Sequence, residues 1–469
     1  MKDFLNRRNL IIVFSFFSLL IIIFFASRVI YTGFPDKHVG GHFPEFGTYC
    51  KALSNGYNPY LGTREGVRLK EHAEKTDYNS PIDYLNTNLY LARYYLRVGS
   101  IFKAIDLLEQ LDTYNQETQG DPRFEREILW ELVSSNMKQG ELDNCVGPEN
   151  PFICSLPLDR SKYQELDKGS SEAISSLNRL LAIDPNDLKA RWLLNVAYMT
   201  LGKYPEEVPA TYLIEKSQLV GRPSDIQEFQ EVSTERGLYQ QTMAGGSIIE
   251  DFNNDGHLDI VTSTWDPCGS MAYFKNDGKG HFTNATEQSG LDLQTGGLNL
   301  IQGDYNNDGW IDIFVMRGGW LRLDGMMRNS LLRNNHDGTF TDVSKESGVD
   351  YPAYPTQSAA WGDMDNDGDL DLFVCNESMS QFDRDIMYPS QLFLNDGDGR
   401  FHDISAQAGT RNYRYCKGSV WGDYDNDGDI DLWMTNFSLE ANCLLVNDGT
   451  GYFEDLSFDL GLAKPSFHW

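Results

Sequence analysis

The chain has 469 residues, of which 41% are hydrophobic and 13% aromatic, so it can bury sizeable cores and should hold two or three domains. Its formal net charge of −30 argues against a nucleic-acid partner, because binding to phosphates needs a basic surface. The seven cysteines match no zinc-ligand spacing such as Cys-x2-Cys.

The N-terminal residues are predicted to meet a membrane. Basic residues precede an apolar run from Leu10 to Ala26, which would span about 25 Å as a helix, the short end for a membrane span. A cleaved signal peptide is the alternative, but the bulky Phe24-Phe25 pair stands where a cleavage site wants small residues. We therefore expect a cytoplasmic tail over residues 1–9 and a transmembrane signal-anchor over 10–27. Both interpretations place the remainder outside the cytoplasm, at the cell surface or secreted.

The next two segments differ in their periodicity. Residues 28–80 are rich in Gly, Pro, Tyr and Asn without a sustained period, which predicts a linker. Residues 81–220 show a helical period, with Ala at helix crossings, Gly at turns and Pro after the second helix of a pair. This pattern resembles tetratricopeptide repeats, which are binding scaffolds without chemistry of their own. An unspecific helical-hairpin domain is the alternative.

An insertion within this helical region holds Cys145 and Cys154. Outside the cytoplasm we expect these two cysteines to form a disulfide. The closed loop of about ten residues should contribute roughly 2–3 kcal/mol on the chain-entropy model. The other five cysteines are an odd number, so at least one should stay free or pair between chains.

One Asp-rich pattern occurs four times between residues 251 and 431. Each copy has Asp at position 1, Asp or Asn at position 3, Asp at position 5, Gly at position 6 and Asp at position 9. Hard oxygen ligands then lie on one side of a tight loop, Gly allows the turn, and position 7 can add its carbonyl. We predict about four bound Ca²⁺, one per loop. The predicted ligands, with position 7 acting through its carbonyl, are Asp251, Asn253, Asp255, His257 and Asp259; Asp304, Asn306, Asp308, Trp310 and Asp312; Asp363, Asp365, Asp367, Asp369 and Asp371; and Asp423, Asp425, Asp427, Asp429 and Asp431.

These loops are not EF-hands, because position 12 lacks the bidentate Glu and the flanking residues favour strands. The Asp at position 9 should therefore close each site from the beginning of a β-strand. Asn253 and Asn306 should lower the ligand charge and the affinity of the first two loops. The alternative is a set of polar turns that bind nothing.

From about residue 225 the loops belong to a longer repeat, with 53, 59 and 60 residues between successive loops. Each loop is followed by a strand, a variable loop, a strand ending in Asn, a hairpin turn and an aromatic strand closed by Gly. Four short strands per repeat are typical of a β-propeller blade. We thus predict a multidomain α plus all-β chain: a membrane helix, a TPR-like helical domain, and a propeller of four-stranded blades over 225–469.

The loops, together with the Asn-Asp-Gly…Phe-x-Asp-Val/Ile-Ser endings, resemble the FG-GAP/VCBS calcium-loop propeller family. The likeness is greatest to its cartilage-acidic-protein-like (ASPIC/UnbV-associated) branch. The sequence Arg317-Gly-Gly-Trp320 adds a weaker similarity. The resemblance implies a Ca²⁺-stabilised propeller outside the cell, used for adhesion or for binding an unidentified protein or glycan, without catalysis.

An extracellular polysaccharide-active enzyme is the alternative function. It would need two carboxylates outside the repeat pattern, for which Asp324, Glu377, Asp383 and Asp385 are the candidates. Surface loops commonly carry such charges, and no hydrolase or nucleotide-binding motif accompanies them.

The repeat count predicts an open arc of blades. A fifth aromatic ending, at Phe229, precedes the first loop, and after Gly461 the next loop would open near position 475, beyond Trp469. We expect four calcium blades in an open arc, with residues 462–469 poorly anchored; the resemblance implies about seven blades in a complete protein. The alternative is a small closed ring in which the Phe229 strand completes the last blade.

Overall fold

The computed structural model describes residues 46–463, apart from 59, 76–77, 79, 119, 146–162, 220–231, 241, 379–386 and 438. A helical part precedes four antiparallel sheets. The predicted tail and signal-anchor, residues 1–27, lie outside the described residues, as do the strand at Phe229 and residues 464–469. No helix in the described part is long and apolar enough to cross a membrane.

The helical part has eight helices within the described residues. They are α1 (Phe46–Ser54), α2 (Arg64–Lys75), α3 (Pro81–Arg97), α4 (Ile101–Glu117), α5 (Pro122–Asn144), α6 (Lys168–Ile183), α7 (Leu188–Thr200) and the short α8 (Lys216–Leu219). From α2 to α7, each helix packs on the next one along the chain. This confirms the helical hairpins predicted between residues 81 and 220.

Local signals explain where these helices begin and turn. Ser80 caps α3 by accepting a hydrogen bond from the Asp83 amide at 3.2 Å, and Pro81 occupies the first turn. Gly99, at φ 74°, makes the turn between α3 and α4. The long helix α5 separates two cores: Ile128 packs with α3 and α4, and Leu129 with α6 and α7.

The linker predicted over residues 28–80 is wrong for most of its described part, which forms α1 and α2. The helix α1 is bound to the sheets, because a disulfide joins Cys50 to Cys268 and Leu53 is buried against Leu321. Phe46 lies 4.3 Å from the Arg317 guanidinium. These anchors come from residues more than 200 positions away, so no local pattern signals them.

The sheets each contain four strands in sequence order. They are β1 (Ser247–Glu250), β2 (Asp259–Thr262), β3 (Ala272–Asn276) and β4 (Phe282–Asn284); β5 (Gly297–Gly303), β6 (Asp312–Arg317), β7 (Ser330–Asn334) and β8 (Phe340–Asp342); β9 (Thr356–Gly362), β10 (Asp371–Asn376), β11 (Gln391–Asn395) and β12 (Phe401–Asp403); and β13 (Cys416–Gly422), β14 (Asp431–Asn436), β15 (Cys443–Asn447) and β16 (Phe453–Asp455). The predicted four-stranded repeats are thereby confirmed.

The hydrophobic cores lie between neighbouring sheets. On β10, Leu372 and Val374 face the second sheet, whereas Phe373 and Cys375 face the fourth. Successive side chains of a strand point to opposite faces, so a strand buried on both sides is apolar at every position. First strands of consecutive sheets also contact each other, as β9 does with β13.

The cysteines are mostly paired. Cys375 bonds to Cys416 and thereby joins the third sheet to the fourth, while Cys443 is free and buried. Burial raises the pKa of the Cys443 thiol to about 11, which leaves it unreactive. Cys145 is disulfide-bonded, and its predicted partner Cys154 lies outside the described residues. The prediction that at least one cysteine stays free agrees with Cys443.

Candidate calcium sites

All four Asp-rich loops join the first strand of a sheet to its second strand. They therefore lie at the same end of the four sheets. The Asp at position 9 is the first residue of the second strand in every sheet, as predicted: Asp259, Asp312, Asp371 and Asp431. The loops thus present their acidic residues in one row.

Position 1 organises each loop by accepting two backbone hydrogen bonds. Asp363 accepts from the amides of Asp367 and Gly368, both at 3.0 Å. The same pair of bonds occurs at Asp251, Asp304 and Asp423. The Asn at position 4 has positive φ in all four loops, between 52° and 61°, a conformation that Asn tolerates better than most residues. The loops are therefore folded by their own backbone and carboxylates.

Position 9 is buried and tied to the third strand of the same sheet. Asp371 is fully buried, and its Oδ1 accepts from the Asn395 amide at 2.9 Å. Equivalent bonds join Asp259 to Asn276, Asp312 to Asn334 and Asp431 to Asn447. The Asn that ends the third strand of every sheet thus fixes the last predicted ligand.

Two of the loop oxygens have no hydrogen-bond partner in the part of the chain that the structure describes. Asn253 Oδ1 and Asp312 Oδ2 are buried and accept no hydrogen bond from any described residue. A buried oxygen without a donor is unfavourable unless a cation or water satisfies it. Both atoms belong to predicted ligands, so the residues present fit a hard cation such as Ca²⁺.

The third and fourth loops gather carboxylates most closely. Oxygens of Asp363, Asp365 and Asp367 lie within 4.8 Å of one another, as do oxygens of Asp423, Asp425 and Asp431. Burial, followed by nearby carboxylates, raises the pKa of Asp371 to about 7. The same causes raise the pKa of Asp312 to about 7. A divalent cation would relieve this repulsion.

In the first and second loops, a nitrogen-bearing side chain already lies against one of the carboxylates. The ammonium of Lys275 lies 3.6 Å from Asp255 at position 5 of the first loop. In the second loop, His336 Nε2 lies 2.9 Å from Asp308. These loops also carry Asn253 and Asn306 at position 3, so their net ligand charge is lower than in the other two.

Neighbouring loops are joined to each other, which the sequence did not reveal. The amide of Asn307, at position 4, donates to the Gly368 carbonyl at 3.2 Å and to Asp369 Oδ1 at 2.6 Å in the next loop. Asn366 makes the same two bonds to Gly428 and Asp429. Asn254 donates to the Gly309 carbonyl at 3.3 Å. The side chains at position 7 are thus turned towards the neighbouring loop in these cases, which leaves position 7 only its carbonyl as a ligand.

Two of the four residues considered for catalysis lie in the described part of the chain, and each contacts a different side chain. Asp324 accepts a hydrogen bond from Asn58 Nδ2 at 2.9 Å, and Glu377 forms an ion pair with Lys417. Asp383 and Asp385 lie outside the described residues. The two described carboxyls therefore have separate structural partners.

The profile of the FG-GAP-like repeat family matches residues 251–315, 320–374 and 383–434. These three stretches, which reach into all four sheets, are similar to FG-GAP-like repeats. Each matched stretch ends within a second strand: at Val315 in β6, at Val374 in β10 and at Met434 in β14. The match therefore agrees with the repeat seen in the structure.

Two curated relatives carry the same name. Cartilage acidic protein 1 of Xenopus tropicalis is 27% identical over 162 residues, which is 34% of this chain and 22% of that protein. Cartilage acidic protein 1 of Homo sapiens is 24% identical over 227 residues, 48% of this chain and 33% of that protein. The chain thus spans about a fifth to a third of the relatives it matches.

Among solved structures, the Photorhabdus luminescens Tc holotoxin pore matches with a TM-score of 0.24 and 17% identity. That match covers 46% of this chain and 9% of the toxin chain. A score this low carries no weight for the fold.

Proposed function

We propose that this protein is an extracytoplasmic Ca²⁺-binding scaffold that binds a protein or glycan partner without catalysing a reaction. The observation that carries the proposal is the fourfold recurrence of one loop geometry, with a buried Asp at position 9 and orphaned oxygens at Asn253 and Asp312. A site that repeats in every sheet favours a structural metal, since a single catalytic centre would break the repeat.

The side chains at positions 1, 3, 5 and 9 of each loop would hold the ion, together with the carbonyl at position 7. Bound Ca²⁺ would supply positive charge that offsets the crowded carboxylates and fixes the turn. The third and fourth loops should bind more tightly, because they carry Asp at position 3, whereas Lys275 and His336 lie against carboxylates of the first two loops.

The arrangement of the sheets supports an arc of a β-propeller. Consecutive sheets share a core, and their first strands lie side by side. Such a frame displays long inter-strand loops at one end, while the helical part offers a second surface for docking.

Two disulfides within the described residues, Cys50–Cys268 and Cys375–Cys416, support an oxidising compartment. A position outside the cytoplasm agrees with this. The membrane anchor over residues 10–27 remains a prediction, which cell fractionation of the tagged full chain would check.

The metal is tested by thermal unfolding of the purified ectodomain with CaCl₂ and with excess EDTA. We expect a higher Tm with Ca²⁺, and Asp367→Ala should bind at least about tenfold more weakly, lowering the Tm in Ca²⁺ by about 3–6 °C. Glu287→Ala is the matched control, because this exposed carboxylate lies outside every loop. An identical Tm in EDTA and in Ca²⁺ would refute structural calcium.

The non-catalytic role is tested by incubating the same ectodomain with pooled extracellular glycans. We expect retention on a glycan array or capture of a protein partner, and no turnover. Release of reducing ends that disappears in Glu377→Gln or Asp324→Asn would replace the proposal by the enzyme alternative.

A further inference from the structure

A buried lysine lies where the third sheet meets the fourth. Lys417 is at the start of β13, at the end of the strand remote from the calcium loop, and only 6% of its side chain is exposed. Its Nζ lies 3.5 Å from the centroid of the Trp320 ring and 4.5 Å from that of Tyr415. Phe437 lies on a further side, at 5.6 Å. These rings hold the amine in place and keep bulk water away from it.

Two carbonyl-bearing side chains face this amine. Glu377, whose side chain is 1% exposed, contacts Lys417 Nζ through its Oε1. The carboxamide of Gln357, on β9, places its Oε1 3.1 Å from the same Nζ. One buried amine therefore touches a carboxyl and an amide carbonyl at once.

Glu377 is held rigidly in this position. Its Oε2 accepts from the Trp320 amide at 2.7 Å and from the Tyr415 hydroxyl at 3.0 Å. Trp320 adopts φ 69°, which is unusual for a residue other than Gly. The local backbone is thus shaped to direct an N–H at Glu377, leaving the Oε1 of this carboxyl for Lys417.

Burial favours the uncharged forms of both groups. It raises the pKa of the Glu377 carboxyl, against the opposing effect of Lys417, and it lowers the pKa of the Lys417 amine. A proton can pass from Nζ to the carboxylate along their direct contact. Lys417 is then a neutral amine, the nucleophilic form of the side chain.

We propose that Lys417 and Gln357 join in an intramolecular isopeptide bond, with Glu377 carrying the proton. The Nζ lone pair attacks Cδ of Gln357. Glu377, protonated by the first transfer, gives its proton to the amide nitrogen and takes the second proton from Nζ. The bond from Cδ to the amide nitrogen then breaks, ammonia leaves, and Glu377 remains protonated. An amine and a primary amide thus become a secondary amide and ammonia, with no oxidant or other reactant.

The bond would connect the first strands of two neighbouring sheets. The disulfide Cys375–Cys416 joins the same two sheets immediately beside it, since Cys416 precedes Lys417 and Cys375 lies two residues before Glu377. Unlike this disulfide, an isopeptide bond is not broken by reducing agents.

Peptide mapping of the purified full-length ectodomain tests the bond directly. Trypsin should produce one peptide from Glu346 to Arg384, which holds Gln357 and Cys375, and another that begins at Tyr415. The disulfide joins these same two peptides, so the digest must be reduced and alkylated first. We expect the peptides to remain linked after reduction, at a mass one ammonia below their sum, with no cleavage after Lys417.

Matched variants separate the linkage from other losses of ammonia, such as cyclisation at asparagine. Glu377→Gln and Gln357→Leu should release two separate peptides, and Asp324→Asn, which alters a partly buried carboxyl elsewhere, should keep the link. If a variant fails to fold, the branched fragment spectrum of the wild-type peptide decides alone. Recovery of the free peptide Tyr415–Lys417 from reduced wild-type protein in full yield would overturn the proposal.

Discussion

The affinity of each loop for Ca²⁺ should depend on the contacts of individual side-chain oxygens. In the second loop, the Asn306 amide donates to Asp308 Oδ2 at 3.0 Å, and His336 lies against the same carboxyl. These contacts satisfy Asp308 without a metal. In the third loop Asp365 stands at position 3 in place of Asn306. Burial and neighbouring carboxylates raise the pKa of Asp365. That loop depends more on a cation to relieve its charge.

The replacement Asn306→Asp should therefore make the second loop bind Ca²⁺ more like the third loop. It removes a hydrogen bond to Asp308 and adds a carboxylate, so we expect roughly tenfold tighter Ca²⁺ binding and a lower Tm in EDTA. Calcium titration by calorimetry and melting curves measure the two effects. Asn55→Asp, on an exposed turn after α1, adds the same charge as a control. An unchanged calcium isotherm would contradict a ligand role for position 3.

Calcium stabilisation should also depend on pH through the buried position-9 carboxyls. The pKa values of Asp312 and Asp371 are raised from 3.8 to about 7 by burial in the metal-free protein. A raised pKa in the folded state means that these groups stabilise the fold at low pH and lose that contribution as pH rises through about 7. Ca²⁺ requires the ionised form, so protons compete with it.

We thus expect the difference in Tm between Ca²⁺ and EDTA to grow from pH 5.5 to pH 8. Melting curves at both pH values, in both conditions, measure it. In the double variant Asp312→Asn, Asp371→Asn much of this pH dependence should disappear. A difference in Tm that is larger at pH 5.5 would contradict the assignment.

At the scale of elements, the calcium loops form a connected row. Each bond from Asn at position 4 reaches the backbone of the next loop, and in two cases also its position-7 Asp. A loop that is ordered by Ca²⁺ would hold this Asn in place and so reduce the entropy that the next loop loses on binding. Binding at neighbouring loops should consequently be positively coupled.

The variant Asn366→Gly tests this coupling. Gly keeps the positive φ of 58° but removes the amide that joins the third loop to the fourth. We expect the calcium titration to become less steep, with the number of ions unchanged. Asn426→Gly is a control at the same position of the last loop, where no bond to a further loop is present among the described residues. Equal steepness in both variants and wild type would contradict coupling and leave calcium binding itself intact.

The elements that a sequence can predict here are the local and repeated ones. The strands, the position-9 Asp and the turn at Gly99 follow from patterns within a few residues. The docking of α1 does not, because it depends on Cys268 and Leu321, which are far away in sequence.

At the scale of the whole molecule, the fourth sheet differs from the other three on one face. The position-2 side chains Phe252, Tyr305 and Met364 are at most 3% exposed, but Tyr424 is 44% exposed. After the closing Gly, Leu291, Val349 and Thr410 are at most 4% exposed, but Leu462 is 40% exposed.

Backbone contacts show the same difference. In each of the first three repeats the position-2 carbonyl accepts from the third-strand Asn of the next sheet at 2.8 Å: Phe252 from Asn334, Tyr305 from Asn395 and Met364 from Asn447. The closing glycines 290, 348 and 409 lie against the next sheet, whereas no atom of the described residues lies within 4 Å of the Cβ position of Gly461. The fourth sheet therefore presents the surface that another sheet covers elsewhere.

An exposed apolar face of this kind should bind a second copy of the chain at high concentration. We expect the ectodomain to show concentration-dependent association by sedimentation velocity in Ca²⁺. The double variant Tyr424→Ser, Leu462→Ser should shift this association to at least about tenfold higher concentration, because two apolar side chains no longer gain from burial. Tyr90→Ser, at an exposed tyrosine of α3, removes a comparable side chain elsewhere and should leave the association unchanged. If the wild type stays monomeric across the whole range, or if Tyr90→Ser weakens association equally, then this face is not the contact.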